Sequence, residues 1–285
     1  MRQEIIMLYG FRCVRAVQVK AGMSSDEKYD VTLMDGRRCM LRISSDCQFE
    51  RKKAEYDMQE SAWKQGIPAA RPYEFGRTGN GKVCQLTQWL DGRSLEEELN
   101  ACTEKEKYEW GDRSGRLLRQ IHAMPAKFPE TVWKERFHRK IEIRMAEVEA
   151  EMDIPEYMSR LCRNLMEKID ILDGCKQCFN HGDFHPGNLM RLTDGELAVI
   201  DFNAYNGGYG DPVFETASVL LDRNIDAQYK AGFRAGYYGA QADLSVEQLL
   251  RYYQGYTLLA ELCEMDDEKA REDILMRMRV LAEKS

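Results

Sequence analysis

The sequence predicts an α+β fold in which a small lobe with an antiparallel β-sheet precedes a larger, mainly helical lobe. Strand-like apolar runs fill residues 14–43, interrupted by GMSS at 22–25 and by DG at 35–36, a strong hairpin signal. After the DG at 91–92, composition and the spacing of apolar residues become helical. A chain of 285 residues with 44% hydrophobic content can bury the core of one large domain or of two modest ones.

We place the small lobe at residues 1–90 and the large lobe at residues 91–285, with a hinge at about 87–92. After the first strands, the small lobe is expected to contain a helix of helix-forming residues and a second strand pair. These elements are a helix at 49–65, ended by Gly66 and Pro68, and strands at 72–75 and 83–90.

The large lobe is expected to begin at Ser94, a residue suited to cap a helix with glutamates in its first turn. Helical periodicity dominates the remainder of this lobe and is broken by one short strand and one hairpin. The expected helices lie at 108–122, 133–152, 156–172 and from 213 onward, and the expected strands at 177–180 and in a hairpin at 189–200.

The chain carries a formal charge of -7, which argues against a nucleic-acid binder because phosphate-backbone recognition needs a basic surface. A cationic small molecule suits this charge better. The sequence shows no secretion signal and no apolar run long enough to span a membrane. We therefore expect a cytoplasmic protein without a membrane partner.

Nine scattered cysteines, an odd number, indicate reduced thiols rather than a disulfide framework. Cys175 and Cys178 form a single CxxC, with no second pair or neighbouring histidine to complete a zinc site. We interpret this pair as packing residues.

The densest polar cluster is HGDFHPGN at 181–188, which comes after an apolar strand, and a second apolar strand ends in IDFN at 200–203. Polar residues at strand ends lie where loops present function on a rigid scaffold, so a site is expected here. One chemistry these residues allow is a metallohydrolase centre built from His181, Asp183, His185 and Asp201. The remaining histidines lie in helical segments and are not obvious further ligands.

These two segments, in which Asp201 lies eighteen positions after Asp183, resemble the catalytic loop and metal-binding segment of the aminoglycoside phosphotransferase and choline kinase family, relatives of protein kinases. The resemblance implies a protein-kinase-like two-lobed fold and a small-molecule kinase. Such an enzyme moves the γ-phosphate of ATP or GTP to a hydroxyl group. By resemblance, Asp183 is the catalytic base, Asn188 and Asp201 hold Mg²⁺, and His181 and His185 shape the loop.

Phosphoryl transfer asks the protein mainly for positioning and charge stabilisation. A carboxylate must accept the proton of the attacking hydroxyl, oxygen ligands must hold the metal ion, and a cation must fix the nucleotide. The residue types of the two segments meet the first two needs. The cation that fixes the nucleotide is expected in the small lobe.

By the same resemblance, Gly22, Ser24 and Ser25 lie in the loop that covers the nucleotide phosphates. The connector at 87–92 resembles the family's hinge, so the backbone of Gln88 and Leu90 is expected to read the adenine or guanine edge. GRTGNGK at 76–82 also resembles a phosphate-binding loop, but Val83 stands where such a loop needs Ser or Thr and then a helix. We interpret that segment as a hairpin turn.

Arg42 stands in the third strand where the family usually has lysine, which is a departure from its pattern. Arginine can still bind phosphate, although its planar fork has a different geometry. Glu55, in the helix after this strand, is the expected carboxylate partner of this cation, and Glu50 is the second choice.

The family's substrates are mostly hydroxyl-bearing amines and sugars, so the resemblance implies a small hydroxylated substrate, with a cationic one open. Binding a cation would need carboxylates or aromatic rings in the substrate site. Acidic helix faces are, however, more often solvated surface, and tyrosines at helical spacing are more often part of the core. The candidates are Glu261, Glu264, Asp266, Asp267, the helix at 142–151, Tyr252, Tyr253 and Tyr256.

A second function class stays open, namely a nucleotide-binding protein of the same fold that has lost catalysis. Arg42 and Asn203 fit this alternative, because Asn203 replaces the second aspartate common in the family's DxD segment. Asp183, Asn188 and Asp201 argue for an active enzyme. Asp211, in a GDP segment further along the chain, is expected to be structural.

Overall fold

The computed structural model describes residues 6–20, 25–125, 132–204, 208–239 and 244–284. The chain forms two compact units, the first from residues 1–106 and 181–208 and the second from residues 107–180 and 209–285. The predicted hinge lies within the first unit, and the assignment of lobes to 1–90 and 91–285 stays a prediction. The mixed α+β character predicted from the sequence is confirmed.

The first unit is built on antiparallel strands. They are β1 (Ile6–Leu8), β2 (Phe11–Val19), β3 (Glu27–Leu33), β4 (Arg38–Ser44), β5 (Pro72–Arg77) and β6 (Val83–Gln88). Within the described residues they form a six-stranded sheet of order β1-β2-β3-β4-β6-β5. The hairpin expected at 35–36 joins β3 to β4, and the 76–82 segment joins β5 to β6 as a turn, as predicted.

The two faces of this sheet differ in chemistry, because successive side chains of a strand point to opposite sides. One face forms an apolar core of Cys13, Val31, Leu33, Cys39, Leu41, Ile43, Cys84 and Leu86. The other face of the same strands is polar and yet buried, with Lys28, Asp30, Gln85 and Thr87 all at most 8% exposed. Buried polar groups need partners, so this face is where a ligand or ion-pair network is expected.

Further elements of the first unit include helices and short strands. They are α1 (Phe49–Lys64), β7 (Gly92–Ser94), α2 (Leu95–Leu99), β9 (Leu189–Leu192) and β10 (Leu197–Val199). The predicted helix and the predicted 189–200 hairpin are confirmed, whereas β7 was not anticipated; it pairs with β9. Ser94 is the N-cap residue of α2, at the position predicted, but its side chain makes no capping hydrogen bond.

The second unit is mainly helical. Its elements are most of α3 (Glu104–His122), α4 (Trp133–Glu151), α5 (Glu156–Glu167), β8 (Cys178–Phe179), β11 (Tyr209–Gly210), α6 (Pro212–Leu221), α7 (Ala227–Tyr238), α8 (Leu244–Glu264) and α9 (Glu268–Lys284). The predicted helix at 156–172 ends early, at Glu167, and continues as a 3-10 turn from Ile169 to Leu172. None of the helices within the described ranges combines the length and apolarity needed to span a bilayer.

An aromatic core holds α4, α6 and α8 of the second unit together. The Trp133 indole donates to the Tyr253 hydroxyl at 2.8 Å, and that hydroxyl donates to Asp211 at 2.5 Å. Asp211 also accepts from the Val213 N–H at 2.9 Å and so caps α6. These contacts agree with the structural role expected of Asp211.

Helices α3 and α7 approach so closely that glycines are needed where they meet. A Cβ atom at Gly232 would overlap the backbone oxygen of Tyr108, and one at Gly111 would overlap the backbone oxygen of Tyr229. Backbone atoms cannot move aside as a flexible side chain can, so the fit at these positions is strict.

We expect Gly232→Ala to lower the free energy of unfolding by about 1–3 kcal/mol, because the added methyl group must push the helices apart. Urea denaturation followed by circular dichroism measures this difference. The matched control is Gly79→Ala, where a Cβ would meet nothing within 4 Å. If the two variants are equally stable, the close approach of α3 and α7 does not limit stability.

Candidate active site

The loop at 181–188 is held in place by the buried ring of His181. Its Nδ1 accepts from the Asp183 N–H at 3.3 Å, and its Nε2 lies 2.8 Å from the Ile200 carbonyl oxygen, to which it donates. The Asn203 N–H in turn donates to the His181 carbonyl at 2.9 Å. His181 therefore ties the loop to the segment that carries Asp201, the loop-shaping role that the sequence suggested.

Gly182 is required by the same contact between loop and strand end. Its φ is 91°, in the left-handed region that favours glycine, and a Cβ there would overlap the Asn203 carbonyl oxygen. No other residue fits both conditions, which explains a glycine directly before Asp183.

Asp183 and Asn188 are joined by hydrogen bonds within the loop. The Asn188 Nδ2 donates to the Asp183 carbonyl oxygen at 2.8 Å and to its Oδ2 at 2.9 Å. These two acceptors fix the orientation of the amide. Within the described part of the chain, the Asn188 Oδ1 receives no hydrogen bond and is left to bind another group.

His185 faces the Asp183 carboxylate. The Gly187 N–H donates to His185 Nδ1 at 3.1 Å, so Nε2 carries the ring proton, and it lies 3.8 Å from Asp183 Oδ2. Desolvation acts to raise the pKa of Asp183, but His185, His181 and the Asn188 amide outweigh it, and the pKa lies below its usual value. Asp183 is therefore ionised at neutral pH, and its side chain is 54% exposed to an incoming group.

Asp201 lies just after β10 in an uncommon backbone conformation. Its φ is 58°, a left-handed value that aspartate tolerates better than most residues and that is often found at functional sites. Its Oδ1 accepts from Arg42 Nη2 at 2.6 Å. Desolvation opposes ionisation, but Arg42 and Lys28 outweigh it and lower the pKa of Asp201.

Arg42 occupies the polar face of the sheet, between Lys28 of β3 and Gln85 of β6 in the strand register. Burial is the largest influence on Lys28 and lowers its pKa, the charge of Arg42 adds to this effect, and Asp201 opposes it. Desolvation also acts to lower the pKa of Arg42, but Asp201 outweighs it and the pKa is raised. A dense group of charges thus surrounds Arg42.

Glu55, on α1, contacts cations other than the expected one. Arg51 Nε donates to its Oε1 at 2.8 Å, and Lys52 Nζ lies 3.2 Å from its Oε2. Lys52 also lies 2.9 Å from Asp26 Oδ2. Arg42 therefore forms an ion pair with Asp201, and Lys52 forms one with Glu55.

The sequence analysis did not identify Lys28 and Lys52 as members of this charged group. The three-residue spacing of Lys52 and Glu55 on one helix face was visible. So was the strand alternation that places Lys28 beside Arg42.

A pocket of the first unit adjoins these charges. Met40, Ala70, Met190 and Ile200 give it apolar walls, and it is also lined by Arg42, Gln59, Gln85, Thr87, Gln88, Trp89, Leu90, Gly92 and Asp201. The two hinge residues named from the sequence thus line the same pocket as Arg42 and Asp201.

The backbone amides of the hinge differ in availability. The Gln88 N–H donates to the Arg71 carbonyl at 2.8 Å, and the Trp89 N–H donates to the Arg38 carbonyl at 3.1 Å. The Leu90 N–H, by contrast, donates to no acceptor among the described residues. Leu90 therefore offers the donor that a bound base could use.

The remaining residues named from the sequence are not drawn into this cluster. Gly22 and Ser24 lie outside the described residues, and Ser25 is exposed in a bend before β3. The acidic substrate candidates in the second unit are largely engaged, Glu261 with Arg277 at 2.8 Å and Glu264 with Arg144 at 2.5 Å.

The tyrosine candidates Tyr252, Tyr253 and Tyr256 are buried in the core of the second unit. A transition-metal centre also lacks its ligand set, because no group of three or more His, Cys, Asp or Glu converges within the described ranges. The metallohydrolase alternative gains nothing from the structure.

The polar sheet face, the Asp183–Asn188 loop and Asp201 at a strand end together define a protein of the kinase-like phosphotransferase class. The chain matches the model of the phosphotransferase enzyme family over residues 15–253 and belongs to that family. It is thus a small-molecule phosphotransferase with a hydroxyl group as acceptor. Comparison with curated protein sequences gave no match.

Solved structures share the fold. A choline/ethanolamine kinase family protein from Mesorhizobium loti is 15% identical, with a TM-score of 0.67 over 93% of this chain and 87% of that one. A thermostable mutant of aminoglycoside phosphotransferase APH(4)-Ia, in a ternary complex with AMP-PNP and hygromycin B, is 18% identical, with a TM-score of 0.67 over 95% of this chain and 92% of that one. Amicoumacin kinase hAmiN, in complex with AMP-PNP, Ca²⁺ and Ami, is 18% identical, with a TM-score of 0.63 over 98% of this chain and 91% of that one.

Proposed function

We propose that this protein is a kinase that transfers the γ-phosphate of ATP or GTP to a hydroxyl of an aminoglycoside-like, amino-alcohol or sugar substrate. The observation that carries this proposal is the loop in which Asn188 holds Asp183 through two hydrogen bonds while its own amide oxygen stays available. A positioned base and a positioned oxygen ligand on one short loop are what phosphoryl transfer needs.

Asp183 is the proposed base. The acceptor hydroxyl oxygen forms a bond to the γ-phosphorus, the bond from that phosphorus to the β,γ-bridging oxygen breaks, and the hydroxyl proton passes to Asp183. A lowered pKa keeps this carboxylate free to accept a proton at neutral pH. The products are the phosphorylated acceptor and a nucleoside diphosphate.

Asn188 Oδ1 and the Asp201 carboxylate are the proposed protein ligands of Mg²⁺. Both are hard oxygen donors, and Mg²⁺ in kinases typically uses one or two carboxylates plus phosphate and water oxygens. The open Asn188 Oδ1 and the ionised Asp201 fit this ion. When bound, the ion neutralises charge on the transferring phosphate.

The nucleotide is proposed to occupy the pocket beside the hinge. Its apolar walls suit a purine, and the Leu90 N–H supplies a donor for the base edge. Arg42 lines the same pocket and is proposed to bind phosphate oxygens. Gly22, Ser24 and Ser25 are proposed to cover the phosphates, Gln88 to line the base site, and Glu55 to act through Lys52.

The proposed acceptor class rests on net charge and on relatives of the same fold. The chain's charge of -7 favours a cationic or neutral acceptor over an anionic one. Two of the similar structures hold hygromycin B and amicoumacin, and another belongs to the choline/ethanolamine kinase family. We also propose a cytoplasmic location, where nucleoside triphosphates are supplied.

The test is release of ADP or GDP from the magnesium nucleotide over a panel of aminoglycosides, amino alcohols and sugars. Mass spectrometry of the acceptor should show one added phosphoryl group with at least one panel class. If nucleotide binds with Mg²⁺ but no acceptor accelerates diphosphate release, the non-catalytic nucleotide-binding alternative is favoured instead.

A further inference from the structure

A cavity of about 360 Å³ extends into the apolar core of the second unit between α4, α5 and α8. Its inner wall includes Val148, Met158, Cys162 and Leu259, each of which is at most 3% exposed. Pockets that bind small molecules typically have volumes of about 300–1,000 Å³. This cavity shares no lining residue with the pocket beside the hinge, so it is a separate candidate site.

The inner wall of the cavity favours an apolar occupant. Protein interiors are close-packed, and side chains that face an unfilled space lose dispersion contacts. Water does not replace these contacts well, because the inner side chains contain only carbon and sulfur and a buried water needs polar partners. An apolar ligand restores the contacts without leaving a polar group unpaired.

Sulfur-containing side chains make the wall adaptable. Met145, Met158 and Met166 line the cavity, and flexible thioethers adjust to ligands of different shape. Burial, with a smaller effect of the nearby Glu149 charge, raises the pKa of the Cys162 thiol to about 11. The thiol therefore stays protonated at neutral pH and acts as part of the apolar wall, so reversible binding is expected here.

Three polar side chains, Glu149, Ser159 and Arg163, complete the lining of the cavity. None of the three forms a side-chain hydrogen bond or an ion pair with another residue in the part of the chain that the structure describes. One carboxylate and one guanidinium carry no net charge together, which favours an uncharged head group over an anion or a cation. A hydroxyl group can donate to Glu149 and accept from Arg163.

We propose that this cavity binds an aliphatic molecule with an uncharged hydroxyl head group. The chain lies against the inner wall of Val148, Met158, Cys162 and Leu259, and the hydroxyl lies beside the polar residues of the lining. The site adds a binding activity to the proposed kinase function and does not depend on that function.

The first test is titration calorimetry of the full chain with n-butanol, n-hexanol and n-octanol, in the absence of nucleotide. We expect the Kd to fall about fourfold for each added methylene, the factor for moving one such group from water into an apolar site. Octanoate and octylammonium have the same chain length with a charged head group. Each should bind more weakly than n-octanol.

A matched pair of variants assigns the binding to the cavity. Cys162→Met extends a side chain into the cavity and should weaken n-octanol binding at least about tenfold, because the space is then filled. Cys47→Met makes the same substitution at an exposed cysteine of the first unit and should leave the Kd unchanged. Thermal denaturation shows whether each variant is folded.

A measurement on the wild-type protein locates the ligand even if Cys162→Met does not fold. In NMR spectra of the protein labelled at its methionine methyl groups, n-octanol should shift the signals of Met145, Met158 and Met166. The signal of Met34, an exposed residue of the first unit, should not move.

The inference is overturned if the Kd does not depend on chain length, or if Cys162→Met binds n-octanol as wild type does. Shifts that spare the three cavity methionines would also overturn it, as would tighter binding of octanoate or octylammonium than of n-octanol. None of these results bears on the proposed kinase function, because no nucleotide is present.

Discussion

Replacing Asp183 by asparagine should lower kcat for phosphoryl transfer by about 10²–10⁴-fold, the usual contribution of a positioned general base. The Kd for the magnesium nucleotide should stay within about twofold, because the amide oxygen can still accept from Asn188. Coupled measurement of diphosphate release gives kcat, and calorimetry gives the Kd. The same pair of measurements on Asp183→Ala tests whether loss of the Asn188 contact adds a second effect.

An Asp183→Asn variant with wild-type kcat would exclude Asp183 as the base. The pH profile offers an independent check. Because the pKa of Asp183 is lowered from its ordinary value of 3.8, its protonation should not reduce the rate as pH falls from about 7 towards that value. A rate that requires a group titrating near neutral pH would point to another residue.

Replacing Asp201 by asparagine should lower transfer at least about a thousandfold, because several kcal/mol of charge stabilisation by the metal would be lost. It should also remove the strengthening of nucleotide binding by Mg²⁺. Calorimetry with and without Mg²⁺ measures this second effect without any catalysis. In the absence of Mg²⁺ the variant should bind nucleotide at least as tightly as wild type, since Arg42 is released from its ion pair.

The matched control is Asp194→Asn, the same substitution at the turn of the same hairpin, where the side chain accepts from the Glu196 N–H. It should leave both transfer and the response to Mg²⁺ unchanged. If Asp201→Asn keeps the wild-type Mg²⁺ dependence, Asp201 is not a metal ligand, and its contact with Arg42 is structural only.

Local signals explain which elements were predictable. The β3–β4 hairpin, helix α1 and the 189–200 hairpin have turn residues and periodicity within their own sequence. Strand β7 has only three residues and is a strand because it pairs with β9, ninety-odd positions later. The end of α5 at Glu167 was equally invisible, because Leu165, Ile169 and Leu172 stay on an apolar spacing through the 3-10 turn.

The conformation of the loop at 181–188, the candidate catalytic loop, was predictable for the same reason. His181, Asp183, His185 and Asn188 lie within eight residues, so their mutual contacts depend on local conformation. The side-chain types in this segment already limited the chemistry that the loop could support. Their roles in catalysis stay predictions until the variants above are measured.

The sequence by itself determined the α+β fold, the family and the loop that presents Asp183. Only the tertiary structure decided which charged side chains form ion pairs. Arg42 pairs with Asp201, 159 positions further along the chain, and Lys52 pairs with Glu55. The physical reason is that ion pairs depend on which side chains the folded backbone brings within about 4 Å, and residue type alone does not specify that distance.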